Sequence, residues 1–140
     1  MPSDQVSSPF ARSAAEPDGP LAFAPSWARL AQLPGFSPIP GITMRSLTGG
    51  ALMLNRVEID PAVEVPRHNH VHEQAGLVLE GALDLTIGDE TRTLRPGDAY
   101  TCPPDLPHRA VAGPEGCVVL DVFSPPREDY VALVDRMGDA

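Results

Sequence analysis

The chain has 140 residues, a length that suits one domain with a real core and leaves no room for a second. Its formal charge of −9 sets the surface against phosphate backbones and anionic headgroups, and no stretch reaches the roughly 18 apolar residues of a membrane span, so nucleic acid and membrane partners are excluded. With 17 prolines and 12 glycines beside a hydrophobic fraction of 42%, the composition favours short strands and tight turns, and an all-β fold is expected.

In chain order, the segment through Pro25 is rich in Pro, Ser, Ala and Asp with scattered apolar residues, too few to offset the entropy of ordering. Residues 1–25 therefore read as a disordered or arm-like extension and 26–140 as the single domain. The extension lacks the apolar run of a secretory signal, which makes a cytoplasmic location the expectation. Ser26, Trp27, Leu30 and Leu33 supply an N-cap and one apolar face before Pro34-Gly35, predicting about two turns of helix with Trp27 plugging the core.

From Ile42 the period becomes two. Strands are expected at Ile42 to Leu47, Ala51 to Ile59 and Val63 to His68, separated by Gly49-Gly50 and Asp60-Pro61. Leu83, Leu85 and Ile87 alternate with Asp84 and Thr86, and Gly88-Asp89 turns this strand into a partner at Glu90 to Arg95. Further strands are expected at Ala99 to Cys102, His108 to Ala112 and Cys117 to Phe123, at a spacing typical of sandwiches and barrels. Helical spacing returns only at Arg127 to Met137, with Tyr130, Leu133, Val134 and Met137 on one face. Cys102 and Cys117 are expected to be buried and reduced. An exposed edge strand and the long arm favour a homodimer.

Three of the four histidines fall at alternate positions, His68, His70 and His72, and the fourth, His108, closes a turn-rich segment. On a strand His68 and His70 share a face and can offer two imidazole nitrogens to one ion. Gln74 and His108 are the candidates for further ligands, giving a mixed N/O set for one first-row divalent metal ion: zinc, nickel, manganese, iron or cobalt. Taken alone, the alternating histidines suit a polar surface loop equally well. His72 is a rival fourth ligand, but a turn expected before it would leave it near the rim as a proton carrier.

Beyond the histidines, Gln74 follows His70 after three residues and Gly81 follows Gln74 after six, within Leu77-Val78-Leu79-Glu80-Gly81; then come Pro96-Gly97-Asp98, Pro103 and Pro107-His108. This pattern resembles the two motifs of the cupin superfamily over Glu64 to His108. The resemblance implies a double-stranded β-helix, or jelly-roll, barrel with His68, His70 and His108 as metal ligands and Gln74 where many cupins carry glutamate. Three neutral imidazoles and a neutral amide leave the ion's charge uncompensated, which favours anionic ligands and places isomerase, lyase, cyclase or hydrolytic chemistry above dioxygenation.

Leu120 to Tyr130, with His70 to Gln74, is similar to the small cupins of the KdgF type, extending the resemblance over Ile39 to Tyr130. That likeness implies ring opening of 4,5-unsaturated uronates to linear keto-deoxyuronates, with Asp121, Phe123 and Arg127 as further active-site residues. Their types suit a small carboxylate substrate: Asp121 to move a proton, Arg127 to hold the carboxylate as a bidentate pair, Phe123 to pack on the sugar face. Two other classes stay open. One is a polyketide cyclase, which an apolar cavity wall would favour; the other is a non-catalytic module binding a metal or metabolite.

Overall fold

The computed structural model describes residues 19–138. Segments in which apolar and polar residues alternate form seven strands: β1 (Ile42–Thr48), β2 (Met53–Ile59), β3 (Glu64–His68), β4 (Glu73–Ile87), β5 (Glu90–Leu94), β6 (Ala99–Cys102) and β7 (His108–Ser124). The alternation is clearest in β2, where Met53, Asn55, Val57 and Ile59 are buried and the residues between them are not. One helix, α1 (Glu128–Gly138), follows β7, with Glu128 and Asp129 in its first turn and Arg136 in its last, the charge order that the helix dipole favours.

The two long strands organise the molecule. β4 and β7 pair antiparallel from Glu73↔Ser124 at one end to Ile87↔His108 at the other. Around their one half lie β1, β2 and β6; around the other lie β3 and β5. The register shifts twice in the middle of β4, between Val78 and Glu80 and between Gly81 and Leu83. Residues 113–116 of β7 pass through this point unpaired, so that Gly81 faces Cys117 while Leu83 faces Ala112. Gly81 has a φ of +75°, and a Cβ there would run into the carbonyl oxygen of Gly116. The two halves share one core: Met44, Met53, Val57, Val119 and Phe123 from the first meet Leu83, Leu85, Leu94 and Ala110 from the second. This is the expected mostly-β jelly roll with a C-terminal helix.

Several local expectations are corrected. β4 reaches back to Glu73, so the strand expected at Leu83 is only its second half, and the two strands expected over His108–Phe123 are one strand that runs on through the unpaired 113–116, where Gly116 takes a φ of +82°. The helix expected from Ser26 is reduced to a single 3-10 turn, Leu30–Gln32, which buries none of its residues and has no side-chain cap. Trp27 is not a core plug: it is 92% exposed, uncovered by any element among the described residues. Of the arm expected over residues 1–25, residues 1–18 lie outside the described residues. No described helix is long and apolar enough to cross a membrane.

Candidate metal centre

His68 ends β3 and His108 begins β7, and the two are register partners with ring centroids 4.3 Å apart. The expected shared strand face for His68 and His70 does not exist, since β3 stops at His68. His70 instead reaches the same point from the loop that follows. That loop is tied down by the Asp105 N–H, which donates to the His70 carbonyl (2.8 Å), and by the Asn69 amide, which donates to the Asp105 carbonyl (3.2 Å). Among the described residues, His68, His70 and His108 form a group whose ligand nitrogens all lie within 4.8 Å of one another.

The backbone selects which nitrogen each ring offers. Nδ1 lies 2.7 Å from the Pro66 carbonyl oxygen in His68, 3.0 Å from that of His72 in His70, and 2.9 Å from that of Leu106 in His108. A carbonyl oxygen only accepts, so each Nδ1 carries the proton and each Nε2 keeps a lone pair. The Nε2 of His108 is buried with no hydrogen-bond partner among the described residues. The Nε2 of His70 lies 2.9 Å from Oε1 of Gln74, at the start of β4. Burial, and then the nearby Arg127 cation, push His70 down to about 4. At neutral pH, then, two acceptors face each other with no proton between them. A cation resolves that contact, and the donor set fits a divalent ion held by three imidazole nitrogens and one amide oxygen. His72 stands outside the histidine group. It is buried rather than at the rim, and its Nε2 reaches Glu128 Oε2 on α1 at 3.0 Å.

Asp121 and Phe123 project from the end of β7, register partners of Gly76 and Gln74 on β4. With His68, Gln74, Tyr100, His108, Arg109, Arg127 and Tyr130 they line a cavity of about 50 Å³ whose remaining wall is apolar, including Met44, Val57, Leu85 and Val119. Burial raises the Asp121 carboxyl to about 6, although the hydrogen bond from Tyr100, the neighbouring Gln74 amide and the Arg127 charge pull the other way. Arg127 is buried over the Tyr130 ring, with its guanidinium carbon 4.1 Å from the ring centroid. Its Nε and Nη2 are held by Asp129 at 3.0 and 2.7 Å, while Nη1 is buried without a partner. Of the bidentate grip expected of Arg127, Nε and Nη2 are therefore already taken by Asp129, and Nη1 is the donor left over. Tyr130 packs on Phe36 and Phe123, which seats α1 over the cavity.

Sequence reasoning missed Tyr100. Its hydroxyl accepts from Gln74 Nε2 (2.6 Å) and donates to Asp121 Oδ1 (2.7 Å). Its parity with buried Cys102 in β6 was the available signal. Cys102 lies behind the site, its Sγ 3.6 Å from His108 Nδ1, and both cysteines are free and buried, as expected.

Residues 55–123 match the cupin domain family. The structure of KdgF from Halomonas sp. superposes with a TM-score of 0.72 at 32% identity, covering 76% of this chain and 99% of that one. The chain belongs to the cupin family. This cupin is also 36% identical over 70 residues to the pectin degradation protein KdgF of Dickeya dadantii, an alignment spanning 50% of this chain and 64% of that protein. It further resembles the polyketide cyclase RemF of Streptomyces resistomycificus, with a TM-score of 0.65 at 28% identity over 74% of this chain and 82% of the cyclase.

Proposed function

We propose that this cupin is a metal-dependent enzyme that opens 4,5-unsaturated uronate rings to linear keto-deoxyuronates, with residues 26–140 as the working domain and residues 1–25 as an arm. The observation that carries the reading is that a group of three histidines with the Gln74 oxygen beside it borders, through His68, Gln74 and His108, a cavity also lined by a carboxyl and by a buried arginine whose Nη1 has no partner among the described residues. The relatedness to two KdgF proteins supports it.

His68, His70, Gln74 and His108 would hold the ion, which when bound supplies Lewis acidity to substrate oxygens and stabilises negative charge developing on them. Arg127 binds the sugar carboxylate through Nη1, with its plane fixed by Asp129 below and Tyr130 beside it. Asp121, whose carboxyl burial raises to about 6, moves a proton between the ring hydroxyl or water and the carbon that becomes saturated. Phe123 packs on the sugar face, and α1 limits the entry of water. Overall acidity opposes long-range steering of a sugar acid, so affinity is local to Arg127 and the ion.

The apolar wall and the likeness to RemF favour a second reading, cyclisation of an enolisable polyketide. An ultraviolet assay separates the two. With metal-loaded protein, the absorbance of the conjugated double bond of an unsaturated galacturonate should fall, and Arg127→Lys should lose about tenfold or more in kcat/KM, mostly through KM. Consumption of a poly-β-ketone but not of the uronate would favour the cyclase. Consumption of neither would leave a binding module.

A further inference from the structure

A glutamine at position 74 raises a difficulty that a glutamate would not. Its amide has one end that can face a cation and one that cannot, the two ends have nearly the same size, and nothing in their shape chooses between them. The choice must come from hydrogen bonding behind the side chain, where Gln74 Nε2, Tyr100 and Asp121 lie in a line.

We propose that Asp121 and Tyr100 form a directional hydrogen-bond relay that turns the oxygen of Gln74, and not its NH2, toward the metal pocket. The polarity starts at Asp121, whose carboxylate only accepts. The single proton of the Tyr100 hydroxyl is therefore spent on Oδ1, at 2.7 Å. That leaves the phenolic oxygen as an acceptor toward position 74, and Gln74 Nε2 donates to it at 2.6 Å. With the NH2 so engaged, Oε1 is the end at 2.9 Å from His70 Nε2. In the flipped amide, NH2 would face the pocket and Oε1 would meet an oxygen whose proton points away, losing one hydrogen bond and one ligand together.

Gly76 makes the relay sterically possible. It lies between the two partners in register, opposite Tyr100 on β6 and Asp121 on β7. A Cβ at position 76 would stand 2.6 Å from Cζ of Tyr100 and 2.7 Å from Oδ1 of Asp121. Tyr100 is thus a positioning residue acting through Gln74, and Asp121 has a structural duty beside any proton it moves. The inference rests on Gln74 serving as a metal ligand.

The test is cobalt(II) affinity of the full chain at pH 8, measured by chelator competition and read in the visible spectrum, for wild type, Tyr100→Phe, Gln74→Glu and the Gln74→Glu/Tyr100→Phe double variant. Loss of the relay should weaken cobalt binding in Tyr100→Phe by about 10- to 100-fold, the usual effect of removing a group that orients a ligand. It should also change the visible bands as one oxygen ligand is lost. Because a carboxylate has no wrong end, the double variant should bind cobalt as tightly as Gln74→Glu alone. Unchanged affinity in Tyr100→Phe overturns the relay, and so does a weakening that Gln74→Glu fails to rescue, which would mark Tyr100 as merely structural. Absence of cobalt binding by the wild type overturns the metal site itself, an outcome distinct from the other two.

Discussion

Asp121 sits where three demands meet: it accepts from Tyr100, faces Arg127 across the cavity, and is buried. Burial raises its carboxyl from 3.8 to about 6, so the folded protein holds that proton more tightly than the unfolded chain does. The stability this gives is full below pH 3.8 and is lost as pH rises through 6. His70 works in the opposite sense: its folded value of about 4 lies below 6.5, so its contribution is present above 6.5 and is lost as pH falls through 4. Asp121→Asn isolates the first effect, because His70 is common to both proteins. In metal-free protein the wild type should lose about 2 kcal/mol relative to the variant between about pH 4 and pH 8. Urea unfolding at the two pH values measures the difference, and parallel stabilities would contradict it. The candidate ligands were legible in the sequence because histidines at alternate positions are rare and their type declares their chemistry. Tyr100 was not: its role depends on Gly76 and Asp121, which are 24 and 21 residues away along the chain and become neighbours only through strand pairing.

At the scale of elements, the corner in β4 and β7 brings β3 and its His68 against Gln74 and Asp121 on the other half of the barrel. Gly81 carries that corner. Its positive φ and the approach of the Gly116 carbonyl leave no place for a side chain. Gly81→Ala should destabilise the fold by more than about 1 kcal/mol, as alanine does where φ is positive. A shift in the urea midpoint at unchanged slope would register this, and an unchanged midpoint would show that the corner tolerates a Cβ. The same corner explains what the sequence hid. The turn residues Gly113-Pro114-Glu115-Gly116 suggested an interruption, yet they bulge out of the pairing while β7 runs on. Strands bounded by true turns, such as the β4–β5 hairpin at Gly88-Asp89, were legible almost to the residue. The N-terminal helix was misread because apolar spacing at Trp27, Leu30 and Leu33 implies a helix only where some surface covers that whole face, and among the described residues Leu30 and Leu33 are half-buried while Trp27 is left exposed.

For the whole molecule, the exposed apolar residues lie mostly outside the barrel. Leu54 on β2 and Leu77 and Leu79 on β4 are exposed, as are Leu21, Phe23 and Trp27 of the N-terminal segment. The homodimer expected from the sequence is proposed on this surface, with the second copy covering it. Sedimentation at micromolar concentration should give a species of twice the 14.9 kDa chain, and a pure monomer would contradict the pairing. The central claim is that the histidine and glutamine cluster makes this cupin a metal-dependent uronate-opening enzyme. An NMR time course of a 4,5-unsaturated galacturonate, with metal-loaded and chelator-stripped protein, tests it most directly. The cyclic species should disappear faster than in buffer only with the metal-loaded protein. Equal rates in both samples and in buffer would contradict it.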